Sequence, residues 1–315
     1  MKCVMNKDSK IFIAGHRGLV GSAIVRRLEL LGYKNIITAG RECLDLRSQA
    51  SVEYFFENHK PDYVFDAAAK VGGIYANDTY SADFIYDNIM IQTNLIHNSW
   101  KYGVKKFLFL GSVCIYPKFA SIPVKEESLL TGILEPTNEA YAIAKISGAK
   151  MCQFYSKQYG FKSLTIMPSN LYGINDNFHP DNGHVIPAMF TKFRLAKQEC
   201  TDVTFWGDGT AYREFMYCDD MADACIFLMI QQQYENGEII NAGSGYNISI
   251  KELSEKIARI VDFKGKILWD TSRPNGTPIR PLDFTKIEKL GWSPKYDLDY
   301  GLALTYDWLT KRNNP

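Results

Sequence analysis

Short uninterrupted apolar runs punctuate the first half of the chain: Ile11 to Ala14, Ile36 to Ala39, Tyr63 to Ala69, Phe107 to Leu110 and Ser163 to Met167. Between them, apolar residues recur every three or four positions, the spacing of a helix with one buried face. Runs of this length without polar alternation suit strands covered on both sides. The pattern therefore predicts stacked βαβ units, an α/β fold built on a doubly wound parallel sheet. After about Asn177 the regularity breaks down, and Gly, Pro, Asn and Asp cluster around Phe178 to Gly183, Gly207 to Thr210 and Pro274 to Gly276. A smaller mixed α/β lobe is expected there. Glu238 to Gly245 again reads as a strand closing on a glycine turn and is expected to return to the first sheet. The expected division is thus residues 1–176, rejoined by about 214–245, and residues 177–315 mainly in the second lobe. No repeat or low-complexity tract interrupts the chain.

At 315 residues there is room for a full hydrophobic core and an enzyme-sized site. Lysine and arginine total 36 against 35 acidic residues, so bulk charge favours neither nucleic acid nor an anionic membrane. Any phosphate recognition must be local. Met1 to Lys10 lacks the apolar core of a signal peptide, and apolar runs such as Cys225 to Ile230 are too short to span a bilayer. A soluble, cytoplasmic protein is expected. The seven cysteines show no C-x-x-C spacing and no matching histidine pair, which argues for reduced thiols and against a disulfide framework or a metal site.

The run Ile11 to Ala14 leads directly into Gly15-His16-Arg17-Gly18-Leu19-Val20-Gly21, and Ile24, Leu28 and Leu31 then mark the inner face of a helix. Glycines in a strand–turn–helix context let the backbone approach a pyrophosphate whose charge is stabilised by amides at the helix N-terminus. The G-x-x-G-x-x-G spacing resembles the short-chain dehydrogenase variant of this loop. The second run ends Ala39-Gly40-Arg41, where NAD enzymes tend to place an acid and NADP enzymes an arginine. Arg41 and Arg17 together predict a clamp on a 2′-phosphate, hence NADP(H).

Tyr141 and Lys145 stand at i and i+4, one above the other on a helical face. A lysine held beside a tyrosine favours the phenolate and is expected to lower the phenol's pKa toward working pH. In the short-chain dehydrogenase pattern a serine completes the set, and Ser112 matches it. Cys114 lies two positions further on, so that on an extended segment both side chains would face one side. His184 follows a polar loop. A thiol and an imidazole can exchange protons near neutral pH, although a cysteine is as readily a small buried hydrophobe and a loop histidine a hydrogen-bonding residue. Asp219 and Asp220 read as caps on an apolar helix.

Nearly the whole chain resembles the GDP-L-fucose synthase family of extended short-chain dehydrogenases/reductases. The stretches that carry the resemblance are Phe12 to Gly18, Ala67 to Ile74, Ala82 to Tyr86, Gly111 to Pro117, Leu134 to Lys145, Pro168 to Gly173, Asn177 to Pro180 and His184 to Pro187. The resemblance implies GDP-4-keto-6-deoxymannose as substrate, epimerised at C3 and C5 by Cys114 and His184 and reduced at C4 by NADPH with Tyr141 as proton donor. It implies that Asp45 and Leu46 border the adenine and that Lys145, Pro168, Asn170, Leu171 and His184 lie along the cofactor. Substrate contacts would fall on Lys192, Trp206, Arg213 and Asp283, with Trp206 readable equally as a core anchor and Arg213 as a surface ion pair. It also implies a homodimer through the helices Phe84 to Lys101 and Ala140 to Tyr159. Departures from the family pattern are Val113, Lys192 and Ile279-Arg280, which bear on diphosphate binding. A nucleotide-sugar 4-epimerase, a 4,6-dehydratase and a silent NADPH-binding sensor are the rival readings.

Overall fold

The computed structural model describes residues 5–180, 183–273 and 281–312, so Pro274 to Gly276 and Ile279-Arg280 lie outside the described residues. The chain begins β1 (Ile11–Ala14), α1 (Leu19–Leu30), β2 (Ile36–Ile37), α2 (Gln49–His59), β3 (Tyr63–Asp66), α3 (Ile74–Thr79), α4 (Ser81–Lys101) and β4 (Lys106–Leu110). It continues through α5 (Glu139–Tyr159), β5 (Ser163–Pro168), β6 (Asn170–Tyr172), α6 (Val185–Glu199), β7 (Val203–Trp206) and β8 (Tyr212–Tyr217). Last come α7 (Cys218–Ile230), β9 (Asn236–Ala242), β10 (Asn247–Ser249), α8 (Ile250–Val261), β11 (Ile267–Asp270), α9 (Thr285–Lys289) and α10 (Leu298–Arg312).

Six strands form one sheet in the order β2-β1-β3-β4-β5-β9, every pairing parallel. Alternate strand residues enter opposite cores. Ile11, Ile13, Phe65, Leu108 and Ile166 pack with α1 and α7, whereas Phe12, Val64, Phe107 and Phe109 pack with α2, α4 and α5. Both faces are covered, which is why the strands are apolar throughout and why the expected doubly wound α/β sheet is the fold observed. The smaller elements make a three-stranded mixed sheet, β10-β8-β6, and a parallel pair, β11-β7.

Two runs are shorter as strands than their apolar length suggested. The second pairs with β1 through Ile36 and Ile37 alone, because it lies at the sheet edge with one neighbour. The third ends at Asp66, after which the Ala67 amide donates to the Ala14 carbonyl and the chain turns away. The cap reading of Asp219 and Asp220 is corrected as well. Tyr217 is the N-cap of α7. Asp219 instead receives Arg26 of α1 at 2.5 Å, and buried Asp220 accepts the amides of Lys295 and Tyr296 at 2.8 and 3.0 Å.

Candidate active site

The glycine loop links β1 to α1, at the edge where ligands of open parallel sheets bind. Gly15 has φ +79°, and a Cβ there would lie 2.6 Å from the Ala67 carbonyl oxygen. A Cβ on Gly21 would lie 2.1 Å from the Gly15 carbonyl oxygen. The loop is thus folded so closely that side chains at either position are excluded. Gly18 is the extended N-cap of α1, with no side-chain cap and no acid in the first turn. That helix end suits an anion, and the pyrophosphate of a dinucleotide fits it.

A cavity of about 440 Å³ lies between this loop and the end of β2, lined by His16, Arg17, Thr38, Gly40, Leu44 and Tyr54 among others. Arg17, which lines it, and Arg41, between the lining residues Gly40 and Glu42, are both exposed. Arg17, however, already has a partner that sequence reasoning passed over. Its guanidinium donates to both carboxylate oxygens of Glu42, at 2.5 and 3.0 Å. Asp45 is likewise engaged, by Arg47 at 2.9 and 3.0 Å, which holds its carboxyl down at about 2, while Arg47 also reaches Asp87 at 3.2 Å. The carbonyl of Leu46 accepts from the Asn94 amide. These bonds brace the corner on which an adenine would rest.

Ser112, Cys114, Tyr141 and Lys145 come together at the C-terminal end of β4. The segment bearing Cys114 is a tight 3-10 turn, Val113–Ile115, and not the extended stretch expected. Ser112 begins the turn, and its Oγ accepts the Cys114 amide at 3.5 Å. The Tyr141 hydroxyl is hydrogen-bonded to the Ser112 side chain, and negative charge on either Cys114 or Asp66 raises the phenol's pKa. The turn therefore brings serine and thiol to the same phenol without strand alternation.

The i, i+4 spacing does place Lys145 near the phenol, with Nζ 5.9 Å from the Tyr141 ring centroid. The expected lowering of the phenol's pKa is not what this arrangement produces. Burial pushes the Tyr141 phenol well above its ordinary value. Lys145 is itself depressed by burial, and its ammonium donates to the Leu110 carbonyl at 2.8 Å. The phenol is thus kept protonated, as a proton donor requires.

His184 stands at the head of α6, its Nδ1 3.0 Å from an oxygen of Asp176. Burial lowers the imidazole's pKa, but the hydrogen bond and charge of Asp176 outweigh it, and the net shift is upward. Asp176 is buried, and its second oxygen has no hydrogen-bond partner among the described residues. No spacing rule points to Asp176. An acid in the same polar loop as the histidine was the only signal available.

Pro168 ends β5, and Asn170 and Leu171 begin β6, beside the β4 terminus that carries Ser112. The Asn170 side chain donates to the Glu214 carbonyl and ties β6 to β8. Lys192 is half-buried on α6. Trp206 is 62% exposed, which removes the core-anchor alternative, and Arg273 packs 5.3 Å from its ring centroid. The core position belongs to Trp269 on the paired strand, against Phe205. Arg213 lies on β8 and donates to the Tyr212 carbonyl. Asp283 accepts from the Thr285 side chain and from its amide at the start of α9, and these bonds hold its carboxyl below the ordinary range.

The sequence pattern of the NAD dependent epimerase/dehydratase family matches residues 11–243. GDP-L-fucose synthase 1 of Arabidopsis thaliana is 54% identical, over 97% of this chain and 94% of its own length. The GDP-L-fucose synthase of Escherichia coli K12 is 48% identical, over 97% and 98% respectively. Among solved structures, a GDP-L-fucose synthetase from Naegleria fowleri bound to NADP superposes with a TM-score of 0.91 at 26% identity, covering 98% of this chain and 96% of that one.

Proposed function

The chain belongs to the NAD dependent epimerase/dehydratase family, and from that premise we infer that it carries out the GDP-L-fucose synthase reaction. GDP-4-keto-6-deoxy-D-mannose is inverted at C3 and C5 and then reduced at C4. The observation that carries this reading is the grouping of Ser112, Cys114 and Lys145 around one protonated phenol. A plain reductase has no use for the thiol, and a catalytically silent sensor has no use for the phenol and lysine.

NADP(H) is the cofactor, and when bound it supplies the hydride delivered to C4. The glycine cradle and the uncapped start of α1 fit its pyrophosphate, and Arg17 and Arg41 would take its 2′-phosphate. For epimerisation, the C4 ketone acidifies both neighbouring carbons, and hydrogen bonds from Ser112 and Tyr141 to that oxygen stabilise the enolate. Cys114 takes a proton from carbon. His184, whose charged form Asp176 favours, returns one from the other face. In the reduction Tyr141 gives its proton to the C4 oxygen, and the Lys145 ammonium stabilises the phenolate left behind.

On this reading Lys192, Trp206, Arg213 and Asp283 face the nucleotide end of the substrate, in a lobe made mainly by residues 177–315. The reading also carries a cytoplasmic location and a homodimer through α4 and α5. The outer faces of those helices support the dimer: Tyr86 and Phe154 are each 62% exposed and Tyr159 46%.

The test is to incubate GDP-4-keto-6-deoxymannose with NADPH and follow the loss of cofactor absorbance together with the sugar formed. One NADPH oxidised per GDP-L-fucose is expected. A 4-reduced sugar without inversion at C3 and C5 would remove the epimerase half, and no oxidation would remove the reading.

A further inference from the structure

Asp66, the last residue of β3, is a carboxylate at 1% exposure in an otherwise apolar layer. Its register partners are Ala14 on β1 and Phe109 on β4, both in the core beneath α4 and α5. One oxygen accepts the Ala68 amide at 3.2 Å, and the other is buried with no hydrogen-bond partner among the described residues. A lone carboxylate in such a place is strongly disfavoured, so its retention asks for a nearby positive charge. Lys145 supplies it. At 3% exposure, Lys145 holds its Nζ 4.6 Å from the centroid of the Phe109 ring, the side chain across the ladder from Asp66.

Resting on the function proposed above, we propose that Asp66 is a positioning residue for the reduction, the buried counter-ion that keeps Lys145 protonated beneath Tyr141. The ionisable groups facing the pair are Tyr141 and Cys152 from α5 and Cys114 from the turn after β4. Of these, a Cys114 thiolate would also sustain the ammonium, but that charge is present only while the thiol has lost its proton. The Asp66 charge is independent of the catalytic cycle. Burial depresses Lys145, and Asp66 opposes the depression. The carboxyl in turn rises to about 6 through burial, with Lys145 and the Ala68 amide opposing the rise, so it is ionised at neutral pH. The same negative charge raises the Tyr141 phenol and favours its proton-bearing form. Its service to the reduction is through Lys145, whose ammonium it sustains and which in turn stabilises the phenolate left when Tyr141 gives up its proton.

Asp66→Asn tests this while keeping the shape and the Ala68 hydrogen bond. Asp66→Leu, which leaves the strand apolar, is the second variant should the first fold poorly. The cofactor-free protein is labelled with ¹³C in its lysine side chains, and the Lys145 resonance is identified by its loss in Lys145→Met. In either Asp66 variant the Lys145 titration midpoint is expected to fall by one pH unit or more. With NADPH and the keto sugar, the alkaline decline of kcat should move to lower pH in step, with KM for the sugar unchanged within twofold. A Lys145 midpoint and an alkaline limb that both stay in place overturn the proposal, as does a purely structural effect that lowers Tm without moving either. Failure of the wild-type protein to oxidise NADPH would overturn the proposed reaction instead, and the NMR titration would still decide whether Asp66 governs Lys145.

Discussion

Replacing Asp176 by Asn removes the charge behind His184 and leaves the side chain's outline intact. The carboxylate is 3% exposed and stands 3.0 Å from Nδ1, so it acts with little solvent between the two groups. A charge-assisted hydrogen bond is worth roughly 1.5–3 kcal/mol, and the lower end applies because solvent reaches and screens the ring. Since about 1.4 kcal/mol corresponds to one pKa unit, the His184 midpoint should fall by about one unit. The sign follows from the role. The imidazolium is the acid, so the His184 contribution to epimerisation is full below its midpoint and declines as pH rises through it, and the variant's alkaline limb declines about one unit earlier. Stability moves the same way. The raised histidine contributes stability that is fully present below its unfolded value of about 6.5 and is lost as pH rises through the folded value. The assay is deuterium incorporation at C3 and C5 of the keto sugar in D₂O, by mass spectrometry across pH. Between the two midpoints the variant should incorporate label up to about tenfold more slowly, and well below both the rates should converge. A folded Asp176→Asn protein with an unmoved midpoint would refute the idea that Asp176 raises the His184 midpoint.

Three further outcomes follow from particular contacts. Cys114→Ser should abolish deuterium exchange beside the ketone while NADPH still binds with its original Kd; unchanged exchange would end the thiol's assignment. Gly21→Ala drives a Cβ against the Gly15 carbonyl at 2.1 Å, so a loss of about 1–3 kcal/mol in stability and at least tenfold in NADPH affinity is expected, read by urea unfolding and fluorescence titration. Glu42→Gln releases Arg17 from its carboxylate and should tighten NADPH binding severalfold without changing NADH binding. Weaker NADPH binding in that variant would mean that Glu42 presents Arg17 to the phosphate and does not compete for it.

The features most legible beforehand were those written within a few residues of one another. Buried strands announce themselves as β-branched and aromatic runs, and the glycine loop as a spacing that only a close backbone turn requires. Tyr141 and Lys145 were readable because a helix repeats every 3.6 residues, whatever surrounds it. Burial, by contrast, was not readable, and it reversed the expected direction of the phenol's shift. The tight turn at Val113–Ile115 was missed because Gly111 stands before it and no glycine or proline lies within Ser112 to Tyr116, and what bends the segment is the Ser112 side chain taking the Cys114 amide.

Local spacing determined the doubly wound sheet, the dinucleotide loop and the tyrosine–lysine pair, since each depends on backbone geometry repeated over short distances. Tertiary structure alone decided the electrostatic partners: Glu42 on Arg17, Asp176 on His184, and Asp66 in register with the Phe109 that Lys145 covers. Such pairings depend on sheet register and on how far each charge is taken out of water. Residues distant in sequence acquire both properties only when the core closes around them.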